Sequence, residues 1–154
     1  MMNSATETQV FTRELAIAAR PETVWKLLAD PAKQSAWWGS PLAFEAVPGG
    51  PFRVEVIPGH IASGEFVEVD EPARLVYTWG WEGQDDHGVP PGSTTVEISL
   101  VAEDDGTKLT FVHRDLPTEA TRDSHAFGWD NYLGRLATVA EGGDPGRDPF
   151  LDSM

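Results

Sequence analysis

Between Arg74 and Glu82 the residues alternate so that Leu75, Tyr77, Trp79 and Trp81 project to one side of an extended segment. Large side chains massed on one strand face, three of them aromatic with a polar tip, can do one of two things. They fill a core, or they wall a cavity in which indole N–H and phenol groups orient an apolar guest. Trp25 and, much later, Trp129 and Tyr132 add to the same aromatic supply. Three polar residues keep apolar company: His113 alternates with Leu109 and Phe111, Arg13 with Phe11 and Leu15, and His125 lies one helical turn before Trp129. A histidine so placed is either a hydrogen-bonded core residue or a general acid–base group. His60 and Glu65 carry the same acid–base chemistry. An arginine amid apolar neighbours needs a carboxylate, backbone carbonyls or an anionic ligand, unless it sits at the strand's end and reaches water.

Other chemistries are excluded by what the chain lacks. His60, His87, His113 and His125 are scattered without zinc-site spacing, and Asp85-Asp86-His87 lacks the ligand spacing of a calcium loop, so no metal is expected. The absence of cysteine removes disulfides, thiolate metal sites and cysteine nucleophiles. There is no Gly-x-Ser-x-Gly elbow, phosphate loop or dinucleotide fingerprint, and no cofactor is required. Eleven basic residues against 25 acidic ones give a net charge of -14. That charge repels phosphate backbones and anionic membrane surfaces, so nucleic acid is not an expected partner. The acidity suits solubility, a salty interior or an acidic docking face.

The elements that must position these residues follow from periodicity and breakers. At 154 residues the chain is the size of one compact domain. Residues 1–8 read as a flexible start, and Gln9–Ala18 alternates as a first strand. Pro21 and Glu22 open a helix with Val24, Leu27 and Leu28 on its apolar stripe, and Asp30 ends it and caps a second short helix from Pro31 to Trp37-Trp38. Trp37-Trp38 then either line an entrance or pack on the sheet edge. About six strands follow, at Leu42–Val47, Phe52–Ile57, His60–Val69, Arg74–Glu82, Ser93–Ala102 and Thr107–Arg114, divided by Pro-Gly and Asp-Gly turns. The polar loop Gly83–Gly92 is long for a hairpin and is expected to be mobile. A last helix runs from Thr118 or Ser124 to Glu141, with His125, Trp129, Tyr132, Leu133, Leu136 and Ala140 on its buried face. Gly128 and Gly134 inside it mark either a close approach or a kink. Residues 142–154, rich in proline, glycine and aspartate, are expected to be a disordered tail beyond a domain spanning 9–141. An antiparallel sheet with helices on one side is an α+β arrangement. No apolar run approaches the ~20 residues of a membrane span. The first residues lack the basic and apolar regions of a signal peptide, so a cytoplasmic protein is expected.

A series of short motifs runs in order along this framework. It comprises Ala19-Arg20-Pro21-Glu22-Thr23-Val24-Trp25, Asp30-Pro31 with Trp37-Trp38-Gly39, Pro48-Gly49-Gly50 with Phe52, and Gly64 ahead of Val67-Glu68-Val69-Asp70-Glu71-Pro72-Ala73-Arg74-Leu75. Tyr77-Thr78-Trp79, Ser93-Thr94-Thr95-Val96, Gly106-Thr107-Lys108-Leu109-Thr110 and Gly128-Trp129 complete it. Over residues 9–141 the series resembles the activator of heat-shock protein 90 ATPase homologue family, within the START-like, polyketide-cyclase (SRPBCC) superfamily. The resemblance implies a helix-grip fold: a curved antiparallel sheet of six to seven strands gripping a long C-terminal helix, with two short helices after strand one. Eukaryotic proteins named for the activity carry an additional chaperone-binding domain for which this chain has no room, and the family has no universal catalytic residue to transfer.

Three readings follow. The leading one is a binding protein whose cavity, between sheet and last helix, takes a small hydrophobic or aromatic molecule, with Trp25, Tyr77, Trp79, Trp81, His113, His125, Trp129, Tyr132 and Arg13 as ligand-binding candidates. The second is a cyclase, isomerase or hydrolase using a cavity histidine, with Arg13 as anion clamp. The third, from the resemblance, is a partner of a heat-shock chaperone acting through its acidic surface.

Overall fold

A computed structural model describes residues 8–83 and 88–153. Strand β1 (Gln9–Ile17) leads into helices α1 (Pro21–Ala29) and α2 (Pro31–Gln34). Strands β2 (Ser40–Phe44), β3 (Pro51–Ile57), β4 (His60–Asp70), β5 (Arg74–Trp79), β6 (Thr94–Glu103) and β7 (Gly106–Leu116) follow, then α3 (Glu119–Ala140) and a 3₁₀ turn (Pro149–Ser153). The strands form one antiparallel sheet in the order β1-β7-β6-β5-β4-β3-β2. Register shifts in β1, β2, β3 and β4 interrupt the ladders, and such bulges bend a strand and raise its twist. The sheet therefore curves, and α3 lies across it against β1 and β7, with α1 beside it. This is the helix-grip arrangement the sequence implies.

Local chemistry sets the element ends. Pro21 opens α1 where an N–H would have no partner anyway. Asp30 accepts from Ala32 N at 2.9 Å and caps α2. Gly39, at φ +47°, turns the chain out of the Trp37-Trp38 pair into β2, and a Cβ there would lie 2.7 Å from the Glu55 carbonyl, so only glycine fits. At the start of α3 Thr118 and Thr121 satisfy each other's backbone N–H, both at 3.0 Å. The buried face of α3 is His125, Trp129, Tyr132, Leu133, Leu136 and Ala140, the stripe the periodicity defines.

The structure departs from the sequence reading in several places: α2 ends at Gln34, short of Trp37-Trp38, and β2 runs Ser40–Phe44 rather than Leu42–Val47. Strand β5 stops at Trp79, because Gly80 lets the Pro90 carbonyl approach to within 1.8 Å of where a Cβ would stand. The Trp81 backbone forms an isolated bridge to Ala62 and a hydrogen bond to Val89 O at 2.7 Å. In α3, a Cβ on Gly128 would sit at ordinary contact distance from Phe150, 3.9 Å, and one on Gly134 would meet nothing, so neither glycine is demanded by a tight approach. The segment expected to be a disordered tail instead folds back on α3. Asp148 is buried, accepting from Tyr132 Oη at 2.6 Å and from Phe150 N at 2.9 Å, and the Phe150 ring meets Phe127 and Tyr132. The flexible start lies, apart from Thr8, outside the described residues, as do residues 84–87 of the polar loop.

Candidate functional site

A cavity of about 500 Å³ lies between α3 and the sheet. Trp79 and Trp81 come from β5 and its continuation, while Val56, Ile57 and His60 come from the β3–β4 hairpin. The first half of α3, from Ala120 to Tyr132, forms the opposite side. Trp38, which follows α2, and Phe150, from the folded-back segment, complete the wall. The volume falls in the range of small-molecule sites, and the lining is aromatic and apolar. Phe127 stands 71% exposed and stacks on Phe150 at 5.5 Å and 22°.

Trp38, which the sequence offered with Trp37 as an entrance lining or as sheet-edge packing, is the hub of the wall. Its ring stacks on Trp37 (5.1 Å, 23°) and on Trp79 (5.9 Å, 14°) and touches Trp129 and Tyr132 at 5.4 and 5.9 Å. Polar clamps hold the pair in place. Gln34 Nε2 donates to Trp38 O (2.8 Å), Arg135 Nε donates to Trp37 O (3.0 Å), and Trp37 Nε1 donates to Leu27 O (2.8 Å). The adjacent tryptophans and the following glycine were visible in sequence; the clamps, which come from α1, α2 and α3, were not.

Two histidines back the cavity wall, each in a tautomer fixed by its partners. Trp129 Nε1–H donates to His113 Nδ1 at 3.0 Å, so the His113 proton is on Nε2 and faces Thr94 Oγ1 at 2.8 Å; Thr94 in turn donates to Trp79 O at 2.8 Å. His113 is fully buried, and burial, followed by the nearby His125, lowers its pKa well below the usual imidazole value. It is a neutral positioning group behind Trp79 and Trp129 rather than part of the lining. For His125 the arrangement is reversed. Trp81 Nε1–H donates to Nε2 at 3.0 Å, and Nδ1–H donates to Thr121 O at 2.7 Å, one turn back along α3. The two imidazoles meet edge to face at 5.1 Å.

The remaining candidates separate. Trp79, Trp81, Trp129, Tyr132 and His125 converge on the cavity, whereas Tyr77 and Trp25 do not line it. Tyr77 stacks flat on Phe52 (4.1 Å, 15°) deep in the core, where burial pushes its phenol above the ordinary range. Trp25 is 4% exposed and packs under α1 with the core. Arg13 shares a strand face with Phe11 and Leu15 as read, but β1 is an edge strand, and the guanidinium crosses the rim of the sheet to pair with Asp130 on α3. Both partners are nearly half exposed, so Arg13 is no clamp inside the cavity. Glu65 is exposed on β4. Among the described residues, no group of three or more His, Cys, Asp or Glu stands close enough to hold a metal ion, and no helix is long and apolar enough to cross a membrane.

Comparison with known proteins agrees with this architecture. The chain is similar to an AHSA1-like protein from Rhizobium etli, solved in solution, with 42% identity and a TM-score of 0.75 over 97% of this chain and 92% of that one. CalU16 from Micromonospora echinospora matches at 27% identity and TM-score 0.76, covering 99% of this chain and 76% of that one. DynU16, a protein of the dynemicin biosynthetic locus, matches at 26% identity and TM-score 0.76 over 90% of this chain and 49% of that one. Among curated proteins none matches. The family model described as activator of Hsp90 ATPase homolog 1-like protein matches residues 18–141, which carry strands β2 to β7, the two short helices and α3, and the chain belongs to that family.

Proposed function

We propose that this protein binds a small, apolar aromatic molecule in the cavity between α3 and the sheet. The observation that carries the reading is a cavity of about 500 Å³, open to solvent on one side, whose wall includes Trp38, Trp79, Trp81 and Trp129. A structural relative belonging to a biosynthetic locus is in keeping with a small-molecule role. Binding is better supported than catalysis. His113 and His125 have both ring nitrogens engaged in hydrogen bonds that fix the wall, and a general acid–base group must present a nitrogen to the substrate.

Native mass spectrometry of freshly purified protein should show a retained small molecule. Hydrophobic aromatic compounds should change tryptophan fluorescence saturably, with Trp79→Ala reducing the affinity. A protein that takes up none of them would move the function from the cavity to the acidic surface.

A further inference from the structure

The polar groups around the cavity are matched unevenly. Trp129 and Trp81 give their indole protons to His113 Nδ1 and His125 Nε2, which occupies the acceptor nitrogen of each imidazole. The Tyr132 hydroxyl is engaged by Asp148, and the Thr121 hydroxyl by Thr118. Among the described residues, two buried donors of wall residues are left over. Trp38 and Trp79 are 3% and 2% exposed, and neither Nε1 has a hydrogen-bond partner. The third buried orphan, Gln34 Oε1, belongs to a side chain outside the lining. Among the described residues, no aspartate, glutamate, lysine or arginine lines the cavity. A buried N–H without an acceptor is costly and rare, and a polar group left in that state calls for an explanation in terms of function.

From this we infer that the guest is a flat apolar molecule carrying a neutral hydrogen-bond acceptor, of the ketone or quinone class, and that its carbonyl oxygen takes the Trp38 and Trp79 indole protons. The inference rests on the ligand-binding reading above and narrows it. Both nitrogens are buried and the two rings stack at 5.9 Å and 14°, so a guest reaches them by parting the Trp38 and Trp79 rings, and the two indole N–H groups report it directly.

Fluorenone and fluorene test this, because they share one tricyclic shape and differ by the carbonyl. In a titration of ¹⁵N-labelled protein, fluorenone should bind about tenfold more tightly, the worth of one ordinary buried hydrogen bond. It should also shift the Trp38 and Trp79 indole resonances more than those of Trp81 and Trp129, which already have acceptors. Trp38→Phe and Trp79→Phe keep a ring and remove the N–H; whatever each does to affinity overall, each should narrow the ratio of fluorenone to fluorene affinity, and each assigns its own resonance. If a variant does not fold, the shifts in the unaltered protein still decide. Equal affinity for the two compounds, with unmoved Trp38 and Trp79 resonances, overturns the acceptor inference and leaves ligand binding standing. Binding of neither compound overturns both.

Discussion

The interface between sheet and helices has two ends built from rings of different kinds. At one end Phe44, Phe52, Phe66 and Tyr77 interlock, with Phe52 flat on Tyr77 at 4.1 Å and Phe66 edge-on to Phe44 and Phe52 at 5.2 and 5.7 Å. At the other, Trp38, Trp79, Trp81 and Trp129 surround a space of about 500 Å³. A phenylalanine carries no polar atom, so its ring is free to turn until volume is filled. An indole N–H can tie the ring to an acceptor, as His113 fixes Trp129 and His125 fixes Trp81, whereas the N–H groups of Trp38 and Trp79 have none. The phenylalanine end thus fills its volume, and the tryptophan end borders a cavity with two rings tied by histidines and two whose N–H groups are unmet.

The sharpest way to break this contrast is to remove a ring from the packed end. Phe52 is 1% exposed with rings on several sides. Phe52→Ala should cost about 3–5 kcal/mol of unfolding free energy, because nothing nearby can collapse into the gap. Denaturant unfolding measures it. A loss near 1 kcal/mol would mean that the packed end is as loose as the cavity, and the distinction would vanish.

The next largest effect concerns the segment that covers the tryptophan end alone. Deleting residues 144–154 removes Phe150 from Phe127 and Tyr132, the Asp148 carboxylate from the Tyr132 hydroxyl and the Pro145 carbonyl from Arg135. A partly buried phenyl ring together with a charge-assisted hydrogen bond predicts a loss of about 2–4 kcal/mol. Thermal melts should show it along with weaker binding of aromatic probes, since Phe150 is part of the cavity wall. An unchanged melting temperature would return this segment to the disordered tail that its composition suggests.

The histidines make the tryptophan end sensitive to acid. His113 is held neutral, its folded pKa below the unfolded value of about 6.5. The unfolded chain therefore binds the proton first, and stability should be full above about pH 6.5 and fall as the pH drops below it, by up to about 1.4 kcal/mol per unit. The carboxylates of Glu82 and Glu97, lowered chiefly by hydrogen bonds from Arg53 and Arg114, add their own loss only at pH values below the ordinary carboxylate range. Unfolding free energies between pH 7 and 5 should slope in the unaltered protein and flatten in His113→Asn. Equal slopes would show that His113 is not the group that responds.

How much of this was legible in sequence depends on what each feature rests on. Strand alternation and the α3 stripe were readable because each is a local periodicity with one face buried. Alternation placed Tyr77 and Trp79 on one face but could not say that the first fills space and the second borders it, since that depends on Phe52 arriving from another strand. Trp38 owes its place to the turn at Gly39 and to clamps from Gln34 and Arg135, none of which is a periodic signal. Segment 142–154 has no periodicity either. It is held by point contacts at Asp148 and Phe150, and composition does not register such anchors.

Arg13 supplies the smallest expected effect and a control for the whole comparison. Its face on β1 was read correctly, yet an edge strand ends at solvent, and the side chain finds a carboxylate on α3 before it finds the cavity. Both members of the pair are nearly half exposed, and at that exposure water screens the attraction while two long side chains lose rotamer freedom. Arg13→Ala should therefore cost at most about 1 kcal/mol and leave the affinity for fluorenone and fluorene unchanged. Asp130→Ala should match it, and the double variant should be no worse than either alone, because the two act only on each other. An Arg13→Ala variant that folds normally but loses affinity for an acceptor-bearing guest would place a charged clamp at the tryptophan end. The cavity wall would then no longer be uncharged, and selection of the guest could not be assigned to the indole protons of Trp38 and Trp79.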